Sequence, residues 1–323
     1  MRPEEFDPQR FEPCHKYALD LELAPQVPGV SIPVLLVRGR KHGKVLVVLA
    51  GVHGDEYEGM RAILEIFAAL EPNDMSGDLL AVPVANTPAF WNGTRTNPLD
   101  RGDLARQFPG NLDGGVTAAI AYHMARTIIA RADFLLDLHS AGVKLLMPTM
   151  VGYDSNDLRS QGAAMVFGTK VVWAHSQIPP GRTISFAKGR GIPWLYTEAR
   201  GGGRIHAEDL RVIAEGIRNL MIHLSILPGS LSVTKVEYHL YGGGDLDTSM
   251  TSAMRGFFIP EVEILQKVSV GEELGRVVDL HGETLETFRA PRDGAVAMLR
   301  ALPLVEPNEI VFFITGLTPE SQE

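Results

Sequence analysis

His53 and Glu56, three residues apart in "VLVVLAGVHGDEYEGM", put an imidazole and a carboxylate at a spacing that can hold a metal ion. Spacing alone is a weak signal, because ten histidines and 39 acidic residues produce about 1.2 such pairs by chance. A second pair, His206 and Asp209, reads as a helix start. What sets His53 apart is its position. Open α/β sheets put ligands at the carboxyl ends of their strands, and the apolar run "VLVVLAG" ends immediately before His53. Gly51 and Gly54 allow a tight loop that turns both side chains toward one point.

A catalytic zinc takes three protein ligands and keeps a fourth position open for water. His139 is the candidate third ligand, since it closes "FLLDLHS", the other strongly apolar run with a polar, turn-prone end. Asp137, two residues earlier on the same strand face, reads either as an acceptor for a ligand imidazole or as a hydrogen-bonded buried acid. A general base is sought where an apolar strand ends in a lone carboxylate. "WLYTEARGGG" supplies Glu198, whose alternative role is an ion pair with Arg200 or Arg204. The turn-rich loop "NGTRTNPLDRGDLARQFPG" carries Arg95 and Arg106, candidates for polarising a carbonyl and clamping a carboxylate. Arg101 reads as solvated. His123 and His223 fall inside helices and read as packing residues, while His175 and His206 fall in loops that could reach the site.

These groups need a scaffold, and the first 225 residues show an α/β rhythm of β-branched runs alternating with amphipathic segments. Met60, Ile63, Leu64 and Phe67 recur at helical spacing and predict one apolar stripe. Residues from Leu210 to Leu224 keep the same period until Pro228-Gly229. From Thr234 onward only strand and turn signals remain. Two domains are expected, an α/β domain over residues 1–228 and a β-rich domain over 229–323. The "APRDGAV" turn is similar to that of biotinyl and lipoyl carriers but has no lysine at its tip, so a structural barrel or sandwich is expected.

Composition excludes several functions. A formal charge of −9 argues against general affinity for nucleic acid. The single cysteine, Cys14, excludes an internal disulfide and a cysteine-rich zinc site. No run approaches the ~18 apolar residues of a membrane span, and the amino terminus shows no apolar signal segment. A cytoplasmic address is expected, with no membrane partner and with homo-oligomerisation left open.

Taken in order, His53-x-x-Glu56, the loop ending "DLARQFPG", His139 after "LDLH" and Glu198 before a glycine run resemble the succinylglutamate desuccinylase/aspartoacylase family, from about residue 40 onward. The resemblance implies a zinc-carboxypeptidase-like mixed β-sheet flanked by helices, with a smaller C-terminal β-rich domain. It implies one Zn2+ per chain held by His53, Glu56 and His139, with Glu198 as general base and proton shuttle. Arg95 would polarise the carbonyl, Arg106 would bind a substrate carboxylate, and the β-rich domain would narrow access. Two positions depart from the family. Ala105 stands where Asp-Leu-Asn-Arg has its Asn, and Arg200 stands where Gly often follows the base, as a replacement cation or a surface ion pair. The expected activity is removal of a short acyl group, acetyl or succinyl, from a small-molecule N-acylated amino acid or related amine. Alternatives are a zinc carboxypeptidase acting on short peptides and a non-catalytic metal- or ligand-binding protein.

Overall fold

A computed structural model of the chain describes residues 1–23, 25, 27–242 and 248–317. Its α/β part contains strands β1 (His15–Glu22), β2 (Ser31–Arg38), β3 (Lys41–Ala50), β4 (Ser76–Val82), β5 (Phe134–Ser140), β6 (Leu145–Leu146), β7 (Met150–Asp154), β8 (Val171–His175) and β9 (Trp194–Ala199). Six helices run between and after them: α1 (Tyr57–Ala69), α2 (Thr87–Asn92), α3 (Val116–His123), α4 (Leu158–Phe167), α5 (Thr183–Gly189) and α6 (Ala207–His223). The remainder is β10 (Tyr238–Tyr241), β11 (Met250–Thr251), β12 (Gly256–Pro260), β13 (Lys267–Val268), β14 (Glu273–Val278), β15 (Thr284–Arg289), β16 (Gly294–Arg300), β17 (Leu304–Val305) and β18 (Ile310–Leu317). Among the described residues no helix is long and apolar enough to cross a membrane.

The main sheet has the order β1-β2-β4-β3-β5-β9-β7-β8-β10-β18-β16-β13 and is mixed. β3 pairs in parallel with both β4 and β5, and β5 pairs in parallel with β9. From β3 the chain first moves outward to β4 and later returns to β5 on the other side. That reversal opens a crevice at the carboxyl ends of β3 and β5, the place where such sheets bind ligands.

Strand alternation fills two cores, one on each face. Leu46, Val48, Leu136 and Leu138 face one core together with Ile213, Ile217 and Leu220 of α6. Val47, Leu49 and Leu135 face the other together with Ala119 and Ile120 of α3. Burying an aliphatic side chain of this kind contributes about 1.5–3 kcal/mol, which is why both faces of the central strands are apolar. The same alternation puts Asp137 and His139 of β5 on the α3 face. On α1, Met60 and Ile63 are buried as the period requires, but Leu64 is exposed. The expected stripe was one residue too wide, because α1 packs on the sheet through its Met60 and Ile63 side and against α6.

Beyond α6 the chain does not leave the sheet. β10 pairs in parallel with β8 and antiparallel with β18, and β16 continues the sheet from β18. The antiparallel sheet β15-β14-β12-β17 packs on this extension around Phe258, Phe288 and Phe312, whose ring centroids lie 5.3–6.4 Å apart. β16 also pairs with β6, with Arg300 opposite Leu145. This pairing ties the β-rich part to the segment that follows His139.

Candidate metal centre

The loop after β3 turns at Gly51, whose φ of +66° favours glycine and where a Cβ would crowd the Val84 backbone. At Gly54 a Cβ would overlap the backbone of Ala89 in α2. Two glycines thus let the loop fold tightly enough to aim His53 and Glu56 at the end of β5. There Glu56 Oε1 lies 2.7 Å from His53 Nδ1, and Oε2 lies 2.9 Å from His139 Nδ1. Arg95 Nη1 donates to Oε1 at 3.2 Å, and the Ser140 backbone N–H donates to Oε2 at 3.2 Å. One ligand atom from each of His53, Glu56 and His139 falls in a cluster whose members all lie within 4.8 Å of one another.

Both imidazoles are also held from behind. His53 Nε2 is 3.2 Å from Asp103 Oδ1, and His139 Nε2 is 3.1 Å from Asp137 Oδ2. Asp103 is fixed in turn by the Ala105 N–H at 2.9 Å, and Asp137 accepts from the Thr183 hydroxyl. Such carboxylate–imidazole pairs orient ligand histidines and raise their basicity.

Charge accounts for the fit to a metal. A carboxylate can only accept, so His139, between Glu56 and Asp137, keeps protons on both nitrogens while no metal is bound. Burial opposes its cation, but Asp137 and Glu56 outweigh that and push its pKa well above 6.5. Burial would likewise raise Glu56, yet His53 and His139 hold it well below the usual carboxylate range. Asp103 behaves alike: burial works against its charge, and His53, Arg95 and Arg106 overcome it. The centre therefore favours positive charge between its nitrogen and carboxylate donors, and a metal cation meets that demand.

Glu198 has the opposite environment. Burial, then the charge of Glu56, pushes its pKa up to about 8, against the lowering influence of His139 and Arg95. It is paired in register with His139 across β5 and β9 and lines the same cavity, of about 720 Å³. Arg95 and Arg106 line it as well. Arg200 does not: its guanidinium lies 3.4 Å from Asp209 and 3.7 Å from Glu208 and borders a second cavity. The alternative of a replacement substrate cation at Arg200 is thus corrected to an ion pair, because the turn after β9 directs it to the start of α6. His206 occupies the N-cap position of α6 without a side-chain capping bond and is absent from the cavity wall.

Among the wall residues without a role expected from the sequence are Asp103, Arg182, Thr183 and Tyr196. Asp103 lies in the "DLAR" segment, where only its neighbours drew attention. Thr183 and Arg182 begin α5, which carries no motif. Tyr196 alternates with Glu198 along β9, and that period was the one available signal. His175 ends β8, is buried, and accepts or donates a 2.8 Å hydrogen bond with the Tyr196 hydroxyl. Burial lowers its pKa to about 3. Since an unfolded histidine takes its proton near 6.5, only the unfolded chain binds it between those values. Stability is then lost as pH falls from about 6.5 toward 3. We expect His175→Phe to flatten that part of a plot of Tm against pH; an unchanged slope would remove His175 as a contributor.

A mixed α/β sheet with a His–Glu–His group at its topological switch defines a protein with a candidate metal centre at the carboxyl ends of its strands. The chain belongs to the succinylglutamate desuccinylase/aspartoacylase family, whose catalytic-domain model matches residues 42–224. It is 33% identical over 280 residues to the N-alpha-acetyl-L-2,4-diaminobutyric acid deacetylase of Halomonas elongata, covering 84% of this chain and 82% of that one. Its fold is similar to that of the ectoine utilization protein EutE (DoeB) of Ruegeria pomeroyi, at a TM-score of 0.84 and 28% identity over 94% of this chain and 97% of that one. A succinylglutamate desuccinylase/aspartoacylase from Rhodobacter sphaeroides is similar at a TM-score of 0.85 and 25% identity over 98% of each chain.

Proposed function

We propose that the chain is a zinc-dependent deacylase that hydrolyses the amide of an N-acylated amino acid, with an N-acetylated diamino acid such as Nα-acetyl-L-2,4-diaminobutyrate as the favoured substrate. The observation that carries this reading is the His53–Glu56–His139 group in one cavity with Glu198. Two imidazole nitrogens and a carboxylate form the borderline donor set that suits zinc and leaves a position open. The Halomonas relative supports the acetyl group and the diamino acid. A cytoplasmic address belongs to the same reading.

When bound, zinc supplies the Lewis acidity that brings the pKa of water toward ~7. The chain's own residues do the rest. Glu198 takes the proton of the attacking water and returns it to the leaving amine; a carboxyl poised near neutrality suits a group with both duties. Arg95 donates to the carbonyl oxygen as negative charge develops there, from a guanidinium already held at the rim of the site by Glu56. Arg106 clamps the substrate carboxylate. The β-rich part, residues 229–323, limits the site to small substrates, since Met298, Arg300, Asn308, Glu309 and Ile310 complete the cavity wall.

The direct test is amine release by zinc-loaded protein from N-acetyl and N-succinyl amino acids, N-acetylated diamines and dipeptides. Turnover of N-acetylated diamino acids is expected, and turnover of dipeptides alone would replace the deacylase with a peptidase. Arg106→Ala is expected to raise KM roughly 10- to 100-fold for substrates with a free carboxylate, the scale of one hydrogen bond to a charged group. Equal effects on neutral analogues would remove the clamp.

A further inference from the structure

Along β5 and β9 only His139 and Tyr196 are partly exposed, and both line the cavity. Tyr196 lies one pleat before Glu198, so the two side chains enter the cavity from the same face of one strand. The tyrosine ring leans sideways across β7. That path exists because residue 152 is glycine: a Cβ there would overlap the ring. The phenol hydroxyl thereby reaches β8, 2.8 Å from His175 Nε2.

From β5 to β8 the cavity floor crosses three strand spacings, about 14 Å, much more than an acetyl group beside the metal centre needs. The remainder leaves room for the amino-acid half of the substrate. His175 is 2% exposed, and its Nδ1 has no hydrogen-bond partner among the described residues. Burial keeps the imidazole and the phenol neutral, and the charge of Arg182 acts on both. Asp154, the acid next to His175, is neutralised by Lys188 at 2.9 Å. Across the cavity, the backbone of Gly181 packs against that of Arg106, so two arginine-bearing loops meet here. The phenol faces Glu198 on its own strand and the Arg182 guanidinium; with Asp154 paired, a neutral hydroxyl that can donate beside that guanidinium suits an anion.

We propose that the Tyr196 hydroxyl, oriented by His175, hydrogen-bonds the carboxylate of the amino-acid half of the substrate and is a specificity residue of the site. The assignment rests on the deacylase reading. It makes Tyr196 a substrate contact and His175 a positioning residue that fixes the phenol.

The test compares Nα-acetyl-2,4-diaminobutyrate with its primary carboxamide on wild-type protein, Tyr196→Phe and His175→Phe, with kcat and KM measured separately. In Tyr196→Phe the preference for acid over amide in kcat/KM is expected to fall roughly 10- to 100-fold, through KM for the acid. His175→Phe shifts it the same way but less. An equal loss on acid and amide, or a loss confined to kcat, would overturn the proposal. Calorimetric binding of free 2,4-diaminobutyrate and its amide reads the same subsite without turnover. If wild-type protein hydrolyses no N-acylated amino acid, the deacylase reading fails, and binding alone decides on Tyr196. At least tenfold weaker binding of the acid to Tyr196→Phe supports the contact, and equal affinity rejects it.

Discussion

Glu198→Gln is expected to leave the metal bound and to cut turnover by at least the ~10²- to 10⁴-fold that general acid–base catalysis supplies. Glutamine keeps the shape of the side chain and its place beside His139, but it can neither accept the water's proton nor return one to the amine. The same substitution has an opposite effect on stability in metal-stripped protein. Glu198 titrates near 8 in the fold and near 4.5 when unfolded. Between those values the folded chain holds a proton that the unfolded chain has released, so stability falls as pH rises through that window. The variant lacks this liability, and its Tm should exceed that of the wild type at pH 8. Metal analysis, kcat and a pair of melting curves check the prediction. A near-normal rate would remove Glu198 as the base.

His139→Ala is expected to remove metal and activity together. It deletes one of three candidate ligands, and it also leaves Glu56 and Asp137 without the imidazole that lies between them. Removing one partner from a buried ion pair costs about 3–5 kcal/mol, so metal-free variant should melt well below metal-free wild type. Metal and proton compete for the same nitrogen. Because His139 is pushed well above 6.5, apparent metal affinity of the wild type should fall steadily as pH drops. Stoichiometric metal in His139→Ala, with activity retained, would place the ion elsewhere.

The His53–Glu56–His139 cluster was legible in the sequence because one histidine follows an apolar strand and the other nearly closes one. Hydrophobic patterning locates strand ends, and the loop glycines mark the turn beyond β3. Glu198 was readable for the same reason. Asp103 was not, because it meets His53 from a turn fifty positions away, and no local pattern reports a contact of that range. His175 was read as able to reach the site, though from a loop and not from the end of β8, whereas Tyr196 was concealed. An aromatic on an alternating strand looks like core, and only the absence of a side chain at Gly152 lets it reach across a neighbouring strand. The continuation of the main sheet into β10, β18 and β16 was equally invisible. Strand periodicity says which residues share a face but not which strands become neighbours.

The pairing of β16 with the segment after His139 also bears on how the protein is made. By the time synthesis has passed α6, the nascent chain contains every candidate metal ligand and Glu198. Arg300, Glu309 and the rest of the closing wall come later, and Lys144, which follows His139, has its ion-pair partner in Glu309. Contacts joining such distant positions form late, because closing a long loop costs entropy before the contact repays it. A growing chain therefore carries its candidate metal ligands, Arg106, His175 and Tyr196 before it carries the residues of β16 and β18 that close the cavity wall.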